Sequence, residues 1–388
     1  MRKPSTEDEE VINMTKKNEM DRREFLSKAG LAALTVPALL QAGSKVAHAQ
    51  AGPPAGASKE GAKKMKRISI EEHWGNKELV NIRNHWYVRT GTPAYNDPKV
   101  NPEVFPKVMD MEKWRIPLMD ESGITMQILS TSSPAIQGIV DTATAIDTAK
   151  RTNDEMAEVI RKYPGRFAGL ACVPTQDPKA AADELERAVK QLGYKGAMIQ
   201  GHTGGEYLDE KKFWVLWERS EALGVPIFLH VTEPIREARK IYDGHPELLG
   251  PMWCWVVEAA THSLRIVGAG VFDAFPKATL ILGHLGETLP YMLGRLDEGY
   301  AMTFHPVKLK KPFSEYVKNN IMVATSGKYK PESLMCAINA MGADRILFAA
   351  DYPWVTPKES VELIERTPMS DADREKIYHL NAERLFKL

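Results

Sequence analysis

From residue 66 to the C terminus, short continuous apolar runs alternate with segments in which apolar residues recur at helical spacing. Continuous apolar runs are expected for strands of a parallel sheet that is buried on both faces. The pattern predicts eight strands, at 68–74, 124–130, 168–173, 197–200, 226–229, 279–282, 321–324 and 346–350. It predicts helices between most of them and at the end of the chain, at 141–163, 179–192, 211–223, 253–275, 289–300 and 371–386.

One long segment, 75–113, shows no clear period and is predicted as an irregular loop. Loops of this length inside a compact domain usually have a function. The segment is rich in aromatic residues, including Trp86, Tyr87, Tyr95 and Phe105. Two interpretations stay open, an aromatic lid over a site and a surface that packs against a neighbouring subunit.

The alternation of strands and helices predicts an α/β fold, a single (β/α)8 TIM barrel with insertions that covers residues 67–388. The alternative is an open, doubly wound sheet. No glycine-rich G-x-G-x-x-G turn follows the first strand, which disfavours the dinucleotide-binding form of that fold.

Composition narrows the class of protein. The chain has 388 residues, with 51 basic and 51 acidic side chains, so no net charge indicates nucleic acid or an anionic membrane as a partner. The three cysteines, Cys172, Cys254 and Cys336, are isolated and predict neither a disulfide framework nor a CxxC metal site.

Residues 1–49 are predicted to be a twin-arginine export signal, separate from the fold. Arg22 and Arg23 precede an apolar segment at 29–40, and Ala47-His48-Ala49 resembles a cleavage site. The apolar segment is too short for a stable membrane anchor, so the mature protein is expected in the periplasm or outside the cell without one. Residues 50–66, rich in Ala, Gly, Pro and Lys, are predicted to be a flexible linker.

Ionisable side chains stand at the C-terminal ends of several predicted strands. Side chains two residues apart on a strand share a face, so Glu71 and His73 project together and Glu72 points the other way. His230, His284 and Asp351 follow the fifth, sixth and eighth strands. Because the C-terminal strand ends of a barrel form one rim, these groups are expected to gather there.

Glu71, His73, His230 and Asp351 offer oxygen and nitrogen atoms and no thiolate, which suits Mn²⁺ or Zn²⁺ and leaves positions open for substrate and water. No lysine ends a predicted strand where it would bridge two ions, so one divalent metal ion is predicted.

Catalytic roles are predicted for Asp351, His284 and Glu287. Glu287 lies three residues after His284 and is predicted to hold the imidazole in one tautomer. An equally supported alternative is a carboxylate at a helix start, favoured by the helix dipole. Substrate contacts are predicted for Arg295, His202 and Trp74. Arg295 would bind a carboxylate in bidentate fashion, or else pair with Asp297 or Glu298, and His202 has the alternative role of a structural histidine.

These motifs resemble a known family over roughly residues 67–354. The chain contains Ile-Glu-Glu-His, Pro-Ile-Phe-Leu-His, Ile-Leu-Gly-His-Leu-Gly-Glu, Ala-Thr-Ser-Gly and Ala-Ala-Asp-Tyr-Pro. In these it is similar to the metal-dependent decarboxylase branch of the amidohydrolase superfamily, which includes gamma-resorcylate, 5-carboxyvanillate and aminocarboxymuconate-semialdehyde decarboxylases. The gamma-resorcylate type is the most similar of the three.

The resemblance implies a barrel with one divalent metal, often Mn²⁺, ligated by Glu71, His73, His230 and Asp351, with His284 catalytic. It also implies a homodimer or homotetramer and an ortho-hydroxylated aromatic acid as substrate. In the implied reaction Asp351 protonates the ring carbon that carries the carboxylate, and loss of CO₂ restores aromaticity.

Several positions depart from the family pattern. After His230 the chain reads Val231-Thr232-Glu233-Pro234, where the resorcylate type carries an Arg-Asn pair. Lys328 stands where relatives have Asn, and His202 replaces an aromatic residue. The export signal is a further departure. An acidic Glu233 near the metal would disfavour an anionic substrate. A metal-dependent hydrolase of a lactone, ester or amide therefore stays open as an alternative, and a non-catalytic binding protein is the third.

Overall fold

The computed structural model describes residues 65–90 and 102–388, and of 87–89 it describes the backbone only. The predicted export signal at 1–49 and nearly all of the linker at 50–66 lie outside the described residues. Tyr95 of the predicted aromatic segment also lies outside them. Within the described part of the chain, no helix is both long and apolar enough to cross a membrane.

Among the described residues, nine short strands form two sheets, and every paired neighbour is parallel. They are β1 (Ile68–Trp74), β2 (Met126–Thr131), β3 (Phe167–Gly169), β4 (Ala171–Cys172), β5 (Ala197–Gln200), β6 (Ile227–His230), β7 (Leu280–Leu282), β8 (Ile321–Ala324) and β9 (Ile346–Leu347). The strands lie in the order of the sequence, β1 to β3 and β4 to β9. The parallel α/β prediction is confirmed.

Hydrogen bonds across two gaps join these strands into a ring. β3 and β4 are one predicted strand interrupted at Leu170, whose N–H donates to the Leu129 carbonyl at 2.8 Å. Between the last strand and the first, Ile70 N–H donates to Phe348 O at 3.0 Å and His73 N–H to Tyr352 O at 2.9 Å. The eight predicted strands therefore close into the (β/α)8 arrangement.

The barrel has two apolar layers, as the alternation of side chains along each strand requires. The inner layer is a cluster that includes Ile68, Ile70, Met198, Phe228 and Ile281. The outer layer, between strands and helices, contains the other face of the same strands. Each side chain fully buried in this way contributes roughly 1.5–3 kcal/mol.

The helices surround this barrel and mostly follow the predicted pattern. The α-helices are Lys77–Thr90, Val104–Met109, Arg115–Ser122, Thr142–Lys162, Pro178–Leu192, Trp214–Leu223, Cys254–Gly268, Val271–Ala274, Leu289–Met302, Phe313–Asn320, Pro331–Met341, Pro357–Arg366, Asp371–Glu375 and Asn381–Phe386. Two predicted helices differ in detail. The one at 253–275 is broken at Gly270, whose φ of +77° favours glycine, and the closing helix contains a π-helical turn at Lys376–Leu380.

The prediction of an irregular loop over 75–113 is wrong for two stretches, because the segment contains the helices Lys77–Thr90 and Val104–Met109. The first lacks a strong apolar stripe, so it is held by tertiary contacts of Leu79 and Ile82 with a cluster around Ile136. One local signal was available in the sequence: Asn76 caps this helix by accepting from Leu79 N–H at 2.9 Å.

An irregularity in β1 decides which side chains face the centre of the barrel. Ser69 pairs with Gln127 but Glu72 pairs with Leu129, so β1 carries one extra residue between them. This β-bulge lets Ile70 and Glu71 both face inward and turns Glu72 outward. Glu71 and His73 consequently reach the rim together, as the sequence predicts.

Candidate metal centre

The C-terminal rim of the barrel brings together the five side chains that the sequence places there. From β1 and β6 come Glu71, His73 and His230, whose ligand atoms lie within 4.8 Å of one another. His230 Nε2 is 3.4 Å from Glu71 Oε1, and the rings of His73 and His230 meet edge to face with centroids 4.8 Å apart.

His284 and Asp351 complete the cluster from loops that follow β7 and β9. With Glu71 they form a second group of atoms within 4.8 Å of one another. His284 Nε2 lies 3.7 Å from Glu71 Oε1 and 3.8 Å from Asp351 Oδ2, and His73 Nε2 lies 3.2 Å from Asp351 Oδ1.

Both loops hold their functional residue in a left-handed backbone conformation. The φ angles of His284 and Asp351 are +50° and +75°, and Leu285, Glu287 and Thr288 also have positive φ. Such a conformation costs a non-glycine residue on the order of 1 kcal/mol and is typical of functional sites. The surrounding hydrogen bonds hold it, since His284 N–H donates to Ser326 Oγ at 2.9 Å and Asp351 N–H to Glu71 O at 3.0 Å.

The bonding of Glu71 tests whether a cation fits here. Its side chain is completely buried, and neither carboxylate oxygen has a hydrogen-bond partner among the described residues. A buried carboxylate without partners is costly unless a positive charge compensates it. A Cβ added at Gly283 would lie 2.8 Å from Glu71 Oε2, so the glycine leaves room beside the carboxylate. These residues fit a divalent metal ion.

The two histidines of β1 and β6 are oriented for metal ligation through Nε2. His73 Nδ1 lies 3.4 Å from the Thr131 carbonyl and His230 Nδ1 lies 3.0 Å from the Val231 carbonyl. A carbonyl only accepts, so Nδ1 carries the proton and Nε2 presents its lone pair to the cluster.

The pKa values of the residues in the cluster are shifted in different directions. Burial raises the pKa of Glu71 to about 7, partly offset by His284. Burial also lowers the pKa of His230 well below its usual value, reinforced by His73 and His284. For His284 burial acts downward, but the carboxylates of Glu287, Glu71 and Asp351 outweigh it and hold the pKa well above the usual value.

The pKa of Asp351 is lowered, although burial acts to raise it. Burial raises the pKa of this carboxyl, but its interactions with the imidazoles of His284 and His73 outweigh burial, and the pKa lies below its usual range. His284 is therefore the member of the cluster that favours holding a proton, and Asp351 the member that favours the charged form.

Glu287 contacts His284 as the first of the two interpretations predicts. Its Oε1 lies 2.5 Å from His284 Nδ1, and its side chain is buried. This contact leaves Nε2 of His284 facing Glu71 and Asp351. The geometry favours the tautomer-holding role over the helix-dipole alternative.

Two predicted substrate contacts are not brought to the cluster. Trp74 lies on the opposite face of β1 from His73 and is buried in the outer apolar layer with Met111 and Met119. Arg295 is exposed on the helix Leu289–Met302, and no described contact joins it to the rim. Its alternative partner Asp297 accepts from Ser314 Oγ at 2.6 Å instead. Strand alternation turns Trp74 away from the cluster, and helix phase, which spacing alone does not reveal, turns Arg295 away from it.

His202 lines a cavity of about 470 Å³ whose other walls include Gln200 and Thr232, two residues beyond His230. Both nitrogens of His202 are bonded within the protein. Nδ1 accepts from Gly205 N–H at 3.1 Å, so Nε2 donates to the Glu233 carbonyl at 2.9 Å. Burial lowers the pKa of this histidine. Because both ring nitrogens are already hydrogen-bonded, only the carbon atoms of the His202 ring are available to a molecule in the cavity.

The Glu233 carboxylate, which the sequence suggested would repel an anion, is engaged by the following helix. It accepts from Trp255 Nε1 at 2.7 Å and from the Cys254 thiol at 3.0 Å, and only 2% of the residue is exposed. Lys328, the other departure near the rim, forms an ion pair with Glu359 at 2.9 Å.

Sequence reasoning missed two aromatic residues near the cluster. Trp354 meets the His73 ring edge to face at 5.0 Å between centroids. Tyr329 flanks Gly327 opposite the His284 ring: a Cβ at Gly327 would lie 3.0 Å from Tyr329 Cε2 and 3.3 Å from His284 Cδ2. Both follow strand ends by only a few residues, and that position was the available signal.

Comparison with known proteins identifies a family and similar relatives. The sequence model of the amidohydrolase family matches residues 85–388. Gamma-resorcylate decarboxylase from Polaromonas sp. (strain JS666) is 40% identical over 330 residues, which is 83% of this chain and 98% of that relative.

Solved structures agree with the sequence matches. A crystal structure of 2,6-dihydroxybenzoate decarboxylase complexed with 2,6-dihydroxybenzoate is 37% identical, with a TM-score of 0.78, covering 84% of this chain and 100% of that one. A dihydroxybenzoic acid decarboxylase from Polaromonas sp. JS666, with bound manganese and the inhibitor 2-nitroresorcinol, is 40% identical, with a TM-score of 0.76, covering 84% and 97%.

Proposed function

The chain belongs to the amidohydrolase family, in its branch of metal-dependent decarboxylases, and from this premise we propose that it releases CO₂ from an ortho-hydroxylated aromatic carboxylic acid. The reaction is non-oxidative and uses one divalent metal ion, for which Mn²⁺ is the proposed identity because a similar structure contains manganese.

The observation that carries this proposal is the pair of unpartnered oxygens on the completely buried Glu71. The Nε2 atoms of His230 and His284 lie 3.4 and 3.7 Å from one of these oxygens. A carboxylate in this position needs a cation, and Glu71, His73, His230 and Asp351 would hold it. When bound, the metal ion supplies Lewis-acid stabilisation of negative charge on the phenolate and carboxylate oxygens of the substrate.

The residues of the chain then account for the movement of the proton. Asp351, which favours the charged form, first accepts a proton from His284 and then donates it to the ring carbon that bears the carboxylate, and the bond from that carbon to CO₂ breaks. The electron pair of the broken bond returns to the ring and restores aromaticity. His284 Nε2, 3.8 Å from Asp351 Oδ2, is the group that returns a proton to Asp351, and Glu287 holds its other nitrogen.

The hydrolase alternative rested on an acidic side chain near the metal. The Glu233 carboxylate accepts hydrogen bonds from Trp255 and Cys254, so its oxygens are directed to these side chains and this reason to disfavour an anionic substrate is weaker. Decarboxylation is the function that the described contacts and the relatives support together.

The test is an assay of CO₂ release by the full chain loaded with Mn²⁺, over a panel of benzoic acids with and without an ortho hydroxyl. We expect turnover of the ortho-hydroxylated acids alone. His284→Asn should lower kcat by about 100-fold or more while the Mn²⁺ content stays at one ion per chain. Absence of CO₂ release from every acid would refute the decarboxylase, and a His284→Asn variant as active as the wild type would remove His284 from the mechanism.

We also propose export through the twin-arginine route and assembly as a homodimer or homotetramer. The motif at Arg22 and Arg23 supports the first, and similarity to the decarboxylase branch supports the second. Cell fractionation of the wild type and an Arg22→Lys/Arg23→Lys variant tests export, and light scattering tests assembly.

A further inference from the structure

Behind the candidate metal centre, three buried polar side chains link the backbone segments that carry two of the proposed ligands. We propose that Glu72, Gln127 and Arg115 form a positioning network that sets the affinity of the centre for its metal ion by holding the main chain at His73 and Asp351. This inference rests on the proposed metal centre.

Glu72 holds the segment that leads to Asp351. It lies on the outer face of β1 and is completely buried. Its Oε1 accepts from the Ala350 N–H at 3.0 Å and from the Ser69 hydroxyl. The chain at Ala350 is thus fixed one residue before Asp351 by a side-chain oxygen.

The chain needs this bond because the ladder between the last strand and the first is irregular. β9 ends at Leu347, and β1 contains a bulge between Ser69 and Glu72. Backbone bonds resume on either side of the gap, from Ile70 N–H to Phe348 O and from Asp351 N–H to Glu71 O. The Glu72 carboxylate occupies the intermediate position and satisfies an N–H that would otherwise be buried without a partner.

Gln127 and Arg115 extend the network to His73. Gln127 Nε2 donates to Glu72 Oε2 at 2.9 Å, and Arg115 Nη1 donates to Gln127 Oε1 at 3.2 Å. Arg115 Nη2 donates to the His73 carbonyl and, at 3.5 Å, to the Val108 carbonyl. The guanidinium also lies 4.4 Å from the ring centroid of Tyr352, the residue after Asp351.

The network is also matched in charge and in donors. Glu72 and Arg115 are both completely buried and carry opposite charges, with a neutral amide between them. Every group that contacts the Glu72 carboxylate is a donor. An amide in its place would turn an NH₂ group toward one of these donors, so Glu72→Gln breaks at least one bond and removes the buried negative charge of the Arg115 network.

A second network elsewhere in the protein provides a matched control. Glu184, also buried, accepts from Asn153 Nδ2 at 2.7 Å and from Arg187 Nε at 2.7 Å. It has the same three kinds of group, carboxylate, amide and guanidinium, but contacts the chain at Cys172 through Asn153 and none of the proposed ligands. Glu184→Gln therefore perturbs a buried network without touching the centre.

The experiment measures Mn²⁺ binding to the metal-free full chain by calorimetry, together with the electron paramagnetic resonance spectrum of bound Mn²⁺. We expect the Kd of Glu72→Gln to rise about 10- to 100-fold with an altered spectrum, as for loss of groups that orient ligands. Arg115→Lys should weaken binding less than Arg115→Met. Glu184→Gln should keep the Kd within about twofold of the wild type and leave the spectrum unchanged.

Three outcomes would overturn the inference. One is a Glu72→Gln protein with wild-type Kd and spectrum, and another is a Glu184→Gln protein that loses as much affinity. If Glu72→Gln does not fold, Ser69→Ala takes its place, because it removes only one bond to the carboxylate. An unchanged Kd of the Ser69→Ala protein is then the third outcome. A wild-type chain that binds no divalent ion would instead refute the metal centre itself, and the inference with it.

Discussion

Two neighbouring carboxylates on β1, Glu71 on its inner face and Glu72 on its outer face, have the same burial and opposite bonding. Neither is exposed to solvent, and burial raises the pKa of each to about 7. Glu72 is fully bonded, by Ser69, Gln127 and Ala350, whereas both oxygens of Glu71 lack hydrogen-bond partners among the described residues.

The two faces of β1 therefore have different roles. The outer face is complete as folded, since its carboxylate is satisfied by the chain itself. The inner face is complete only with a cation, because both oxygens of Glu71 lack hydrogen-bond partners among the described residues and two imidazole nitrogens lie 3.4 and 3.7 Å from one of them. A costly buried charge retained without partners indicates a ligand-binding role.

The largest expected effect comes from removing the inner charge. Glu71→Gln keeps the shape of the side chain but removes the charge that balances a divalent ion. We expect Mn²⁺ binding to fall below detection and kcat/KM to drop about 10³-fold or more, a loss of about 4 kcal/mol of transition-state stabilisation. Metal analysis and the decarboxylation assay measure this. A variant that retains one Mn²⁺ per chain would show that Glu71 is not a ligand.

In the metal-free protein, substitution of the two carboxylates should change the free energy of unfolding in opposite directions. In excess chelator, Glu71→Gln should raise the free energy of unfolding by about 1–2 kcal/mol, because it removes a buried charge without partners. Glu72→Gln should lower it by about 3 kcal/mol, because it removes the buried negative charge of the Arg115 network and breaks a buried hydrogen bond.

Urea denaturation of both variants beside the wild type, in the same chelating buffer, measures this difference. The comparison fails if the two substitutions shift the unfolding midpoint in the same direction. When Mn²⁺ is restored at 100 times its Kd, the wild type should gain about 2.7 kcal/mol of stability. The Glu71→Gln protein should gain none.

The smallest expected effect comes from the space beside Glu71. Gly283 has a φ of −69°, so alanine is compatible with its backbone, but the added Cβ would lie 2.8 Å from Glu71 Oε2 and 3.0 Å from Ser326 Oγ. We expect Gly283→Ala to displace the carboxylate and weaken Mn²⁺ binding about tenfold, about 1.4 kcal/mol.

Gly294→Ala is the matched control for that substitution. Gly294 lies within the helix Leu289–Met302, and a Cβ there meets no atom within 4 Å. Its alanine variant should bind Mn²⁺ as the wild type does and gain about 0.5–1 kcal/mol of stability. Equal Mn²⁺ affinities of the two variants would show that the room at Gly283 does not matter for the centre.

Sequence reasoning was most successful where a strand end carries an ionisable residue. Every residue of the rim cluster was identified in this way, because a parallel barrel brings all C-terminal strand ends to one edge. It did not place the side chains of Trp74 and Arg295, which lie on another face from the cluster. It also failed for the helix Lys77–Thr90, which depends on contacts with residues far along the chain.

The amino-acid sequence by itself determined the eight-strand barrel, the family and the residue types at the rim, because these depend on local periodicity and on short motifs. Only the tertiary structure decided which carboxylate of the Glu71–Glu72 pair lacks a partner and which is bonded by Gln127 and Ala350. The physical reason is that hydrogen-bond satisfaction depends on groups brought from 55 and 278 residues away. Their arrival depends on the bulge in β1, which periodicity does not show.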